Sequence, residues 1–416
     1  LALRDVSARI KPETAILRGL TPGADLRVIE QNFDFDLLTP EKLLEKFVGR
    51  RVGVIKTHPT TGEETEEEAE VLSAAAGPVL RIGERIEAGV PGRIVYREVP
   101  ANLRDRPTLV IKLENGLEAA QELEVAYLTG GLSWKADYVG ELAANEDRID
   151  LTGWVTLSNQ SGTGYRNARL QLVAGDVHRV AEPVPPRFRG VAPSAAMQAD
   201  VAMAEEALLE YHLYSLALPT TIADNQTKQV ALLTASDVPV RKELRFDGDT
   251  AYYQRQRGEI GVKLKAGVFL ELDNREASNL GIPLPKGVVR IYKDDTRGNA
   301  QFAGEDAVDH TPKNEMVRLK LGEAFDVTAR KIQTDFTKLS GTGPWQYQFE
   351  SAYRLEIKNA KPEPVTVKVR EPIPGDWRML EESHPHEKPS SDTAEWRLAV
   401  PAQGETTLTY RVRVRF

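Results

Sequence analysis

The chain has 416 residues, a net charge of −8 and a pI near 5.5, a length that allows roughly two to four domains of ~100–200 residues. Its acidic balance excludes nucleic acid and anionic lipid as default partners, and no apolar run approaches the ~18 residues of a membrane-spanning helix. It has no cysteine, which excludes disulfides, thiolate metal sites and a cysteine nucleophile.

Taken in chain order, residues 1–40 and 100–182 predict an N-terminal β-sandwich, with PTLVIKL (107–113), GWVTLSN (153–159) and ARLQLVA (168–174) as strands. Residues 41–99 interrupt it. EKLLEKFVG (41–49) carries an apolar stripe at Leu43, Leu44, Phe47 and Val48 and predicts a short helix. RRVGVIK, AEVLSA, GPVLRIG, ERIEAG and GRIVYREV then predict five short strands closing into a small SH3-like barrel. Between the first two of these strands, the acidic run EETEEEAE (63–70) reads as a solvated loop.

Residues 183–209 are rich in Pro and Ala and lack a strand period. They predict a mobile connection whose Ala-rich end suits a short helix. Strand patterning resumes over 210–335, a central β-sandwich that includes GVFLELDN (267–274) and VVRIYKD (288–294). Residues 336–416 predict a C-terminal immunoglobulin-like β-sandwich with YRLEIKN (353–359), VTVKVRE (365–371) and TTLTYRVRVRF (406–416). In the last run Leu408, Tyr410, Val412, Val414 and Phe416 share one face. The fold class is therefore all-β: several immunoglobulin-like sandwiches in series plus a small N-terminal barrel with a short helix.

A weak repeat runs through this pattern. Three strands end apolar-x-apolar-x-Asn, at Asn159, Asn274 and Asn359, each followed by a polar turn and another strand. The spacing is about one sandwich domain. Asn suits such turns because its side chain bonds nearby backbone.

Several polar clusters are candidates for chemistry. FAGEDAVDHTPKNE (302–315) holds Asp306, Asp309 and His310. Carboxylates and an imidazole in one stretch suit a metal ion, but Gly304, Pro312 and the lack of a calcium-loop ladder favour a turn that caps its own backbone. SHPHEK (383–388) places His384 and His386 on one side of an extended chain, yet the flanking prolines mark an exposed loop. Asp176 and His178 could orient a serine nucleophile, but there is no G-x-S-x-G elbow. GTGYRN and GTGPWQ are too poor in glycine to cradle a dinucleotide, and no cofactor is expected. In GGLSWKADY (130–138), Trp134 and Tyr138 share a face. They seal a sandwich core or, alternatively, offer a platform to sugar rings.

YLTGGLSWKADYVGEL (127–142), TGWVTLSNQSGTGYRNARLQLVAGDV (152–177), YHLYSLALPTTIADNQTKQVALL (211–233), GIPLPKGVVRIYKDD (281–295) and FAGEDAVDHTPKNE with LGEAFDVTARK (321–331) form an ordered series. It resembles the bacterial envelope family known as domain of unknown function 4139, from about Leu109 to Phe416. Many members carry a coiled-coil insertion near the N-terminus, and no heptads occur here. The resemblance implies β-sandwiches and export to the periplasm or cell surface, and implies no activity and no catalytic residues. A start at Leu1 without a basic-plus-apolar leader matches an exported chain whose signal peptide is gone.

The expected function is a non-enzymatic envelope or secreted protein. Its sandwich surfaces would meet other envelope proteins, or a second copy, through sheet edges. A glycan-binding module using exposed aromatics is the alternative, and a metal-dependent hydrolase built on Asp306, Asp309 and His310 is the third reading.

Overall fold

Period-two alternation makes strands of most of the chain. The computed structural model describes all residues except 35, 101–102, 176–202, 209–210 and 341–346. These residues divide into two compact units, one of residues 1–133, 157–168 and 220–228, the other of 134–156, 169–219 and 229–416. Among the described residues no helix is long and apolar enough to cross a membrane.

In the first unit the Thr108–Asn115 strand lies between Ala2–Arg4 and Leu26–Asp34, antiparallel to both. Its Leu109 and Ile111 join Val6, Ile10 and Ala15 in a buried cluster. A second, five-stranded sheet has the order Arg85–Ala88, Val79–Ile82, Glu64–Ser73, Arg51–Thr57, Arg93–Val95. Its two outer strands do not pair with each other, so the expected barrel is an open sheet. Outer strands of four and three residues supply too few ladder bonds to curl the sheet shut. The Pro40–Lys46 helix contributes to the core instead. Thr39 caps it by accepting from the Lys42 amide at 3.2 Å, and Pro40 fits its first turn. Leu43, Leu44 and Phe47 then pack with Val52, Val54, Val71 and Leu80.

The acidic run is not a loop. All of it but Glu63 lies in the Glu64–Ser73 strand, where arginines and lysines of other strands in the sheet supply the compensating charge. Arg51 meets Glu68 at 2.8 Å, Lys56 meets Glu67 at 2.9 Å, Arg81 meets Glu70 at 2.8 Å and Arg93 meets Glu64 at 2.7 Å. Opposite charges across the sheet turn a poor β-former into a compatible one.

The second unit is built on one large, branched sheet. Its path runs Ala300–Val308, Gly287–Asp294, Leu132–Leu142, Arg148–Asn159, Gln226–Asp247, Glu259–Asp273, Met316–Ser340, Tyr347–Asn359, Gly404–Arg415, Asp376–Glu382. Val365–Pro372 branches off, parallel to Gln226–Asp247 and antiparallel to Thr393–Val400. The 25-residue Met316–Ser340 strand pairs first with Glu259–Asp273 and further on with Tyr347–Asn359. Val367, Val369, Trp396 and Leu398 of the branch share one buried cluster with Tyr353, Leu355, Tyr410 and Val412 of the main path. A small sheet joins Gln171–Ala174, Tyr211–Leu216 and Met203–Leu208. Of the expected Pro/Ala-rich connection, residues 183–202 and 209 lie outside the described residues. Its Ala-rich end, expected as a helix, is the Met203–Leu208 strand, drawn into the ladder by its neighbour Tyr211–Leu216.

The three asparagines of the sequence repeat occupy the same local structure. Each is buried. Each Nδ2 donates to two carbonyls: Thr163 and Ala223 for Asn159, Ile282 and Pro312 for Asn274, Glu363 and Pro401 for Asn359, all at 2.7–3.0 Å. Each Oδ1 accepts a turn amide, from Ser161, Gly281 and Lys361 respectively, at 3.0–3.1 Å. Two residues beyond the second carbonyl the chain turns left-handed, at Asn225, Asn314 and Gln403, with φ of 56, 69 and 48°. A long return strand follows at once. One side chain thus ties a strand end to the turn that launches the partner strand.

Candidate functional site

The Asp306, Asp309 and His310 stretch is half strand and half turn. Asp306 sits in the Ala300–Val308 strand opposite Val289. Its Oδ1 accepts from the Ala307 amide at 2.9 Å and its Oδ2 from the Lys320 amide at 2.7 Å. Asp309 accepts from the His310 amide at 2.8 Å, and His310 Nδ1 accepts from the Lys286 amide at 3.3 Å. All three side chains are engaged with backbone. Among the described residues no three His, Asp or Glu side chains converge on a common point.

Tyr138 is fully buried and its hydroxyl donates to the Pro285 carbonyl at 2.7 Å. Its ring faces Leu151, Leu272, Val289 and Leu319 around a very small apolar void, so it presents nothing to a sugar. Trp134, four residues earlier on the same strand, is half-buried. Between them Asp137 gathers Lys135 at 2.9 Å and Arg290 at 3.0 Å. Burial raises its pKa, but these cations and Thr156 prevail and hold it below the usual carboxylate range. His386 is held by Glu382 at 2.9 Å and lies between the rings of Trp377 and Trp396. His384 contacts Ser383 at 3.0 Å. Asp176 and His178 lie outside the described residues.

An open cleft of about 640 Å³ lies at one end of the large sheet, lined by Glu141, Arg148, Asp150, Asp237, Tyr292 and Asp294 among others. In its lining Arg148 and Asp237 pair at 3.0 Å, and Asp150 accepts from the Asp237 amide at 2.7 Å. Tyr292 packs edge-on to Phe302, with ring centres 5.7 Å apart.

The most unusual chemistry lies in the core of the second unit. Lys331 and Glu371 are each only 2% exposed, and Lys331 Nζ donates to Glu371 Oε1. The Tyr253 hydroxyl donates to Glu371 Oε2 at 2.8 Å and lies 3.0 Å from the Tyr410 hydroxyl. The Tyr252 and Tyr353 rings stand 4.5 and 5.4 Å from the ammonium. Beside the pair, Tyr353 stacks on Tyr410 with ring centres 5.0 Å apart, and Trp396 meets Tyr410 at a tilt with ring centres 4.8 Å apart. Burial pulls the Lys331 pKa down against the opposing charge of Glu371, and it pushes both Tyr253 and Tyr410 well up. A Cβ on Gly248 would stand 2.1 Å from Glu371 Oε2, so glycine there leaves room for the carboxyl.

The Lys331–Glu371 pair has a signal in the sequence. Val327, Ala329, Lys331 and Gln333 fall on one side of a period-two strand, as do Val367, Val369 and Glu371, and all seven are buried. A charged residue in the apolar register of each of two strands is the mark of a buried pair. The signal is easy to pass over, because both residues lie inside strands rather than in a polar turn, and the two are 40 residues apart in the sequence.

The sequence model of a family described as Domain of unknown function (DUF4139) matches residues 123–416. No curated protein matches the chain.

Proposed function

This chain belongs to the domain-of-unknown-function family DUF4139, and from that premise we propose that it is a non-enzymatic scaffold, exported to the periplasm or cell surface, that works by binding other envelope proteins or a second copy of itself. Its repeats are read as immunoglobulin-like sandwiches, each closed by an Asn corner. The observation that carries the reading is the threefold recurrence of that corner at Asn159, Asn274 and Asn359. Such a chain is a series of β-units, an architecture suited to presenting surface rather than to enclosing a reaction.

The binding mode follows from where the large sheet ends. Ala300–Val308 and Asp376–Glu382 each have a sheet partner on one side only among the described residues. A strand with one free side accepts another strand by backbone hydrogen bonding. Asp376, Arg378, Glu381 and Glu382 on the second edge discourage indiscriminate pairing and select a partner of matching charge. The test presents purified protein, first examined by sedimentation velocity, to envelope extract. Self-association or a discrete captured protein, competed away by excess free chain, is expected. A monomer that captures nothing contradicts the proposal.

Glycan binding is the second reading. It is favoured by the cleft that sets Tyr292 among Glu141, Asp150 and Asp294, since an aromatic face beside carboxylates suits a sugar ring and its hydroxyls. Calorimetric titration with cell-wall glycan fragments, abolished by Tyr292→Ala, would move the assignment there.

A further inference from the structure

We propose that Lys331 and Glu371 condense with each other, unaided by any enzyme, into an amide between Nζ and Cδ that bonds the Met316–Ser340 strand covalently to Val365–Pro372. These strands are not ladder neighbours. The first pairs with Glu259–Asp273 and Tyr347–Asn359, the second with Gln226–Asp247 and Thr393–Val400. The amide would therefore bridge the core rather than reinforce an existing ladder.

Three features of the site favour the reaction. The reacting groups are already in contact, since Nζ donates to Oε1, and packing on every side holds them there. Holding two reactants side by side removes much of the entropic barrier to their joining. The site is also closed to solvent. An isolated ion pair is poorly supported in such surroundings, and the step proposed here runs through the neutral pair, reached when the ammonium proton passes to Oε1 along the existing hydrogen bond. The lowered Lys331 pKa agrees with this. Finally, a donor is in place where charge develops. The Tyr253 hydroxyl, backed by that of Tyr410, points at Oε2 from 2.8 Å, and Gly248 leaves that oxygen the space it needs.

The balance needs no other reactant. The Nζ lone pair attacks Cδ, and Oε2 takes up negative charge against the Tyr253 hydroxyl. An amine proton passes to the protonated Oε1, the Cδ–Oε1 bond breaks, and water leaves. The product amide keeps Oε2 as an acceptor for Tyr253, and burial of both residues shields it from hydrolysis.

The experiment is intact-mass measurement of the full purified chain under denaturing conditions, followed by peptide mapping. The expected mass is one water below that of the sequence, with the peptides holding Lys331 and Glu371 recovered as one linked species. Lys331→Arg is expected at its full sequence mass, a readout that does not depend on how well the variant folds. A wild-type chain at full mass, a water loss that maps elsewhere, or a water loss that persists in Lys331→Arg would each overturn the proposal.

Discussion

At the scale of single residues, the buried Asn corners carry more of the fold than a turn residue ordinarily does. Asn274 satisfies the Ile282 and Pro312 carbonyls and takes up the Gly281 amide. Replacing it by alanine orphans these buried groups, and each such loss costs on the order of 1–3 kcal/mol. Asn274→Ala is therefore expected to lower the urea midpoint clearly, and Asn359→Ala to do the same, because its corner has the same bonds. A change within error for both, measured by urea denaturation, would remove the corner from the account. Gly248 gives a second case. Its Cβ would stand 2.1 Å from the Glu371 carboxyl, so Gly248→Ala should destabilise by about 1–3 kcal/mol through overpacking. The same urea curve checks it, and a neutral result would show that the carboxyl can move aside.

At the scale of elements, charge decides where strands meet and where sequence reading succeeds. Glu146 sits in the turn after the Leu132–Leu142 strand and pairs with Lys242 and Lys293 from two other strands. Burial works to raise its pKa, but the two lysines prevail and hold it at about 2. Its ordinary value is 4.5. A carboxyl whose pKa is depressed on folding contributes stability that is fully present above the unfolded value. That contribution fades as pH falls from about 4.5 towards about 2. Wild type and Glu146→Gln should therefore differ in thermal stability at neutral pH and converge in this acid window. Parallel stability curves down to the lower limit would contradict the pairing.

Strands with clean alternation were legible in the sequence. The runs at 288–294, 353–359 and 365–371 lie within the observed strands Gly287–Asp294, Tyr347–Asn359 and Val365–Pro372, and all of the run at 107–113 but Pro107 lies within Thr108–Asn115. The acidic run was not, because its β-state depends on arginines and a lysine of other strands in the same sheet. Barrel closure was not legible either, since it depends on how two short outer strands end. The Asp306 stretch showed its backbone-capping chemistry but not that its first half is a strand. Tyr138 and Trp134 alternate alike, and only tertiary packing sets the first fully inside and the second at half burial.

At the scale of the whole molecule, repetition and handing-on of strands make one account. The Met316–Ser340 strand serves two successive partners, and the last and first strands of the large sheet keep one side unpaired among the described residues. Buried polar groups such as Lys331, Glu371 and the three asparagines hold the frame, and the proposed work is done at its edges. The measurement that tests this most directly is photo-crosslinking in the cells that make the protein, from a light-activated residue placed at Arg378 on the Asp376–Glu382 edge, with a matching probe in the core at Tyr410 as control. The account predicts one discrete adduct, to an envelope protein or to a second copy, from the edge position alone and recovered with the envelope fraction. No adduct from the edge, or an adduct found only among cytoplasmic proteins, would contradict it.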